Sequence, residues 1–214
     1  MQTYGFFSGK SKKAYICKRQ NYNMVQSNFN TYIDGINADF WRELCLNNGE
    51  QRTMHRGDTF VCAGEVARYI GYIKNGTLKY VAMSDDGTEH VVGLEFAGEF
   101  VADFPFSLYN IPARVSIIAE TTCELYCVKT SELLDMIKDR PEMAEIVMHA
   151  TEAIFSTVYD RYVALYTKSP RQRYVDLINS HPDIFSLFSL KDIASFLNIT
   201  PTHLSRLRKN AFLD

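Results

Sequence analysis

The chain has 214 residues, 46% of them apolar and 22% charged. That is the balance of a folded globular protein, and it is long enough for one large domain or a medium one with a small partner. No apolar run reaches the roughly 18–20 residues of a membrane span, and no apolar core of a secretory signal follows the N-terminal cations, so a cytoplasmic protein with no membrane partner is expected. The net charge of −2 conceals a gradient: residues 1–23 hold five cations and no acid, residues 24–166 hold 11 cations against 21 acids, and residues 167–214 hold seven against four. An acidic body with a basic C-terminal end suits a nucleic-acid-binding part at that end.

Residues 1–23 (MQTYGFFSGKSKKAYICKRQNYN) show no clean periodicity and are expected to be a disordered arm or an upstream mis-start. A helical pattern over about 29–47, around FNTYIDGINADFWRELC, leads in. From 53 to 128, short β-rich runs alternate with the turn signals HRGD, CAGEV, KNGT, SDDGTE and FAGE. A spacing of roughly 8–12 residues between such signals predicts an antiparallel sandwich or barrel. The clearest hairpin is GTLKYVAMSDDGTEHVVGLEF, where Leu78, Tyr80 and Ala82 alternate with polar neighbours and Asp86-Gly87 supplies the turn.

Thr130 or Ser131 is expected to cap a helix, SELLDMIKD, which Pro141 interrupts. Over 142–167 the residues Met143, Val147, Ala150, Ile154, Val158, Tyr162 and Leu165 recur every three or four positions, predicting one long helix. Its seam has two readings: a lid over the chain's own β domain, or a parallel dimerisation helix packing on its twin. The second is favoured, because so long a helix is rarely needed for intramolecular cover. Lys168-Ser169-Pro170 ends it, and PRQRYVDLINSH opens a compact helical module.

Within that module, SLKDIASFLNITPTHLSRLRKN carries two helix starts. Ser189-x-x-Asp192 resembles a capping box for a first helix, LKDIASFL. Thr200 followed by Pro201 starts the second, with threonine as N-cap and proline at the first helical position. Only Asn198 and Ile199 separate helix from cap, so a steep crossing and a left-handed residue are expected, and asparagine is the best non-glycine choice. Small Ala194 marks the close approach, while Leu190, Ile193, Leu197, Ile199, Leu204 and Leu207 form the shared core. Thr202, His203, Ser205, Arg206, Arg208 and Lys209 are left outside, the arrangement of a helix-turn-helix whose second helix enters the major groove. Thr202, His203 and Arg206 are the candidate base contacts, Arg206 as a bidentate partner of guanine. Arg208, Lys209 and Ser189 are the candidate phosphate contacts, and Thr200 belongs to the same surface.

Five scattered cysteines (17, 45, 62, 123 and 127) without a CxxC argue for reduced thiols and against a disulfide scaffold or a metal site. There is no nucleophile elbow, phosphate loop, metal-ligand spacing or convincing carboxylate pair, so neither an enzyme nor a bound metal or cofactor is expected.

A β domain with the turns RGD, NGTLKYV, DDGTE and AGEF, then a long helix, then a C-terminal helix-turn-helix resembles the Crp/Fnr family of bacterial transcription regulators over roughly residues 40–210. SPRQRYVDLINSHPDIF and SLKDIASFLNITPTHLSRLRK look especially like its Bacteroidetes branch. The resemblance implies an α+β fold: an antiparallel, jelly-roll-like, cyclic-nucleotide-binding-type β-roll over 24–140, a dimerisation helix over 141–167 and a DNA-binding domain over 168–214. With only eight residues after Arg206, no full β-wing is expected. Implied partners are double-stranded DNA, a second copy of the chain and RNA polymerase. Gly57, Gly76 and Gly98 match the family's structural glycines.

In relatives that bind cyclic AMP, a Gly-Glu pair holds the ribose and an Arg-Ser or Arg-Thr pair grips the phosphate. Aligned on Glu120-Thr121-Thr122-Cys123-Glu124, these positions read Ala102-Asp103 and Ala113-Arg114, with Ser116 nearby. Arg114 is one residue out of register, and a one-residue shift in a strand reverses its facing. Cyclic AMP is therefore not the expected effector; another small effector or none remains open. The candidate effector-binding residues are Asp103, Arg114, Ser116, Ser156 and Thr157. The family's Arg-Glu-x-x-x-Arg reading set appears as Pro201-Thr202-His203-Leu204-Ser205-Arg206, where only the last residue matches. The alternative to a DNA-binding regulator is a ligand-binding signalling module whose helical domain makes protein contacts.

Overall fold

The lead-in pattern folds as two helices instead of one, α1 (Tyr32–Gly35) and α2 (Ala38–Asn48). Asn37 makes the division: its side chain accepts a hydrogen bond from Phe40 N (3.1 Å) and caps α2. A computed structural model describes residues 30–210, so the expected N-terminal arm, 1–23, lies outside the described residues.

The β-rich segment supplies eight strands: β1 (Glu50–Met54), β2 (Thr59–Val61), β3 (Tyr69–Asn75), β4 (Leu78–Met83), β5 (Glu89–Glu95), β6 (Phe100–Val101), β7 (Ser116–Ala119) and β8 (Cys123–Lys129). They pair antiparallel into two four-stranded sheets, ordered β1-β8-β3-β6 and β2-β7-β4-β5. Ile73, Leu78, Ile117 and Leu125, all fully buried, fill the space between the sheets. Burying such a side chain stabilises by about 1.5–3 kcal/mol.

Gly57, Gly76 and Gly98 sit at φ of 91°, 93° and 92°. At Gly76 the need is double, since a Cβ there would lie 2.6 Å from both Cys123 Sγ and Thr122 O.

The β4–β5 hairpin departs from simple alternation. Its register slips opposite Tyr80 and Val81, where Val92 is the extra residue on β5; the buried positions of β4 are Leu78 and Val81, with Tyr80 and Ala82 half-buried. A bulge adds one residue and reverses the facing of those beyond it. The turn does fall at Gly87, with φ of 81°.

Helix α3 (Thr130–Asp139) is capped neither by Thr130 nor by Ser131. Strand β8 runs straight into it; Thr130 N donates to Arg68 O (2.9 Å), which takes the place of a side-chain cap. Pro141 separates α3 from α4 (Glu142–Thr167), whose 26 residues span about 39 Å. The seam of α4 divides. Met143 and Ala150 are buried against the β-roll side with Val147 beside them, whereas Val158 (56% exposed), Tyr162 (56%) and Leu165 (41%) remain largely uncovered. The seam is therefore shared: the chain's own domain covers its N-terminal half, and the C-terminal half is left exposed.

After Ser169, which forms a full capping box with Gln172, come α5 (Pro170–Ser180), α6 (Ile184–Leu187), α7 (Leu190–Phe196) and α8 (Pro201–Asn210). Leu177, Ile184, Ile193, Ala194 and Leu204 form their core, and this core continues into Val91, Leu94 and Phe96 of the β-roll. Phe96 stacks on His181 (3.8 Å, 7°), and Val91 N donates to Ser195 Oγ (2.9 Å). Lys79 on β4 bridges Glu120 (2.8 Å) and Asp192 on α7 (2.9 Å). The helical module is thus packed onto β5, the outermost strand of its sheet.

Cys45, Cys62, Cys123 and Cys127 are free thiols; Cys17 lies outside the described residues. Among the described residues no helix is long and apolar enough to cross a membrane, and no cluster of His, Cys, Asp and Glu has the geometry of a metal site.

Candidate functional site

The α7–α8 pair takes the geometry its sequence predicts. Ser189 Oγ accepts from Asp192 N (3.1 Å), and Thr200 Oγ1 accepts from His203 N (3.2 Å), so both helix starts are capped. Asn198 is left-handed (φ 53°), and Ile199 N reaches Ala194 O (3.0 Å) across the turn. Ala194 is fully buried where the helices approach, and Leu204 anchors α8 from beneath. A turn this short fixes the crossing angle and hence the face that α8 turns outward.

That face carries Thr202, His203, Arg206 and Lys209, all exposed and following one stripe of the helix. Arg208 is exposed too, but its guanidinium lies over the Phe185 ring at 4.1 Å, which holds it beside α6. Ser205 is half-buried. Ser189 and Thr200 stand at the two helix starts with their hydroxyls engaged as caps. The sequence-derived set therefore lies on the α7–α8 pair, with Ser189 at the start of α7 and the rest on or just before α8.

A second feature is a cavity of about 310 Å³ between the β-roll and α4. Ile36, Trp41, Ile70, Val92, Phe100, Phe104 and Ile154 make most of its wall. Asp103 and Thr157 belong to this wall; Arg114, Ser116 and Ser156 do not. Arg114 is exposed, with its guanidinium over Phe106 at 5.2 Å, and Ser116 Oγ accepts from Ala63 N (3.0 Å). Asp103 Oδ2 and Trp41 Nε1 are buried without a hydrogen-bond partner. Burial raises the Asp103 carboxyl above the usual aspartate range, with Arg114 pulling the other way.

One end of the cavity is closed by a buried polar cluster that sequence reasoning missed. Asn30 Nδ2 donates to Glu95 Oε2 (3.0 Å), Glu99 Oε2 (2.6 Å) and Leu94 O (2.9 Å), while Asn30 Oδ1 accepts from Arg161 Nη2. Tyr32 OH donates to Glu95 Oε2 (3.1 Å). Burial, then the neighbouring Glu99, pushes the Glu95 carboxyl well above its ordinary range; burial raises Glu99 as well. Burial lowers the Arg161 guanidinium, against the pull of Glu95 and Glu99. The sequence does hold a signal for the cluster. Arg161 falls seven residues after Ile154 and four after Thr157, so it is a lone cation on the inward face of α4.

The comparisons agree with this geometry. Residues 51–140 match the cyclic nucleotide-binding domain. A probable transcriptional activator of Rhizobium leguminosarum bv. viciae is 26% identical over 175 residues, which cover 74% of this chain and 71% of that protein. FixK2 of Bradyrhizobium japonicum shares the fold at a TM-score of 0.68 and 17% identity, covering 77% of this chain and 85% of FixK2. A putative regulator of the Crp/Fnr family from Eubacterium rectale shares it at 0.61 and 18%, covering 80% and 82%. With a cyclic nucleotide-binding domain, a long helix and a helix-turn-helix in this order, the chain shares the fold of FixK2 and of the Crp/Fnr-family structure from Eubacterium rectale.

Proposed function

We propose that this protein is a transcription regulator of the Crp/Fnr family, a cytoplasmic homodimer that places α8 in the major groove of double-stranded DNA and takes its signal from a small effector in the β-roll cavity. The observation that carries the DNA reading is the outward stripe Thr202, His203, Arg206 and Lys209 on a helix whose angle is fixed by a capped, left-handed turn. Paired recognition helices read half-sites about one helical turn apart. Arg206 is the base-reading cation, and Lys209 and Arg208 neutralise phosphate.

The outward half of α4 supports the dimer. Met148, Phe155, Tyr159, Tyr162 and Tyr166 are all more than half exposed, and their spacings of seven, four, three and four residues are those of a helix–helix seam. RNA polymerase is a further partner, as suits a protein similar to a probable transcriptional activator.

The test is a salt titration of the full-length protein on DNA selected by its own binding. A retained preference for one site, with affinity falling steeply as salt rises, is expected. Arg206→Ala, at an exposed position, lowers specific affinity by about 1–3 kcal/mol and relaxes one base position. Equal affinity for every sequence would overturn the reading in favour of a module that contacts proteins.

A further inference from the structure

Trp41 and Asp103 are 4% and 8% exposed, and both face the β-roll cavity with a polar atom unpaired. A buried donor or acceptor without a partner costs about 1–3 kcal/mol, so a ligand group that pairs with either atom gains that amount. Of the remaining polar groups of the wall, Tyr80 and Thr157 are already engaged. Tyr80 OH donates to Ala102 O (3.2 Å) and accepts from Ala102 N (3.3 Å), and Thr157 Oγ1 shares a hydrogen bond with Thr31 Oγ1 (2.8 Å). Tyr32 OH and Arg161 belong to the Asn30–Glu95–Glu99 cluster.

The charges select the ligand further. The single cation of the wall, Arg161, already serves the Glu95–Glu99 pair, and Arg114 lies outside the wall over Phe106. An anion entering would surrender its hydration and meet the Asp103 and Glu95 carboxyls, while the one cation of the wall already faces Glu95 and Glu99. A cavity of about 310 Å³ is roughly twice the 150 Å³ apolar cavity that accepts benzene, which suits a ligand of roughly a dozen non-hydrogen atoms.

We propose that the cavity binds a small, uncharged, largely apolar molecule whose one polar end pairs with Asp103 and Trp41. The proposal rests on the reading of this cavity as the effector site and names the chemistry of its occupant. Such a molecule packs on Ile154, Thr157 and Val158 of α4, the helix that also carries Arg161, whose guanidinium sits 5.7 Å from the Phe196 ring of α7. An occupant of the cavity therefore touches the element that connects the β-roll to the helix-turn-helix.

Trp41 is the only tryptophan in the chain, so its emission reports the cavity directly. The full-length protein is titrated with phenylbutanol, phenylbutanoate, phenylbutylamine and cyclic AMP while Trp41 emission and the thermal midpoint are followed. Phenylbutanol is expected to saturate both signals at a concentration about tenfold below that needed by phenylbutanoate, a difference of about 1.4 kcal/mol. Ile154→Phe, which fills the cavity, abolishes the response to the alcohol. Asp103→Asn, which keeps the shape of the wall, narrows the gap between alcohol and carboxylate, so the proposal remains testable if the filled variant does not fold. Tighter binding of the carboxylate, the amine or cyclic AMP than of the alcohol would overturn the ligand class and leave the effector site standing. Silence of every probe in both signals would overturn both.

Discussion

Replacing Arg161 by methionine removes the one cation from the buried cluster at the end of the cavity while keeping most of the side chain's bulk. The expected loss follows from the charge state of its partners. Glu95 and Glu99 face each other, and burial and mutual repulsion raise Glu95 well above its ordinary value. Glu99 accepts from a backbone amide, Phe96 N (2.8 Å), and is the better-solvated anion of the two. Burial and repulsion thus favour the neutral form of Glu95 over that of Glu99, and the guanidinium chiefly faces the charge of Glu99. Two unit charges about 4 Å apart at an effective dielectric constant of about 20 attract by about 4 kcal/mol, and breaking a buried pair costs about 3–5 kcal/mol.

The variant should lose about that much near pH 8. Near pH 5 it should lose less, because protonated carboxyls need no counter-charge. The sign follows from linkage: both carboxyls have folded-state values above the unfolded 4.5, so their contribution is fully present below about pH 4.5 and is lost as pH rises toward the folded values. Removing Arg161 raises those values further and steepens the loss. Urea unfolding of wild type and variant at both pH values measures it, and adding Glu99→Gln to the variant should recover part of the stability at pH 8. An equal loss at the two pH values, or a loss below about 1 kcal/mol, would refute the assignment of charges.

Three further outcomes are expected. Phe155→Glu combined with Tyr162→Glu, at positions 66% and 56% exposed, should leave the protein folded but convert it to a monomer in sedimentation; an unchanged mass would remove α4 as the dimer seam. Lys79→Met breaks the bridge between Glu120 and Asp192 and should cost about 2 kcal/mol, with amide exchange accelerating in α7 and not in β8; uniform acceleration would show that the bridge does not hold the helical module to β4. Gly76→Ala forces a Cβ into Cys123 and Thr122 at positive φ and should lower stability by more than about 2 kcal/mol; a thermal midpoint unchanged from wild type would contradict the turn.

What was legible in the sequence was whatever local chemistry dictates. Asn198 in the left-handed region, the caps at Ser189 and Thr200, and buried Ala194 and Leu204 each follow from a few neighbouring residues. The glycine turns follow for the same reason. What was not legible required distant parts to meet. The break at Asn37 and the bulge at Val92 change which residues face inward, and alternation alone registers neither. Arg161 and Glu95 are 66 positions apart, and nothing near either residue reveals the other. The seam of α4 was visible, but its division between the β-roll and an open face depends on where the β-roll ends in space. The partial match at Asp103 and Arg114 located one cavity residue; that Arg114 stands over Phe106 outside the wall needed coordinates.

The docking of α7 on β5 also bears on solubility. β5 has a strand on only one side, and exposed edges of that kind recruit strands from other molecules. Here Ser195 occupies the Val91 amide, and the helical module covers Val91, Leu94 and Phe96. Any rearrangement that separates α7 from β5 would uncover both an unpaired edge and an apolar patch. A conformation that frees the helix-turn-helix from this strand must supply another cover, or the protein becomes prone to self-association in proportion to its concentration.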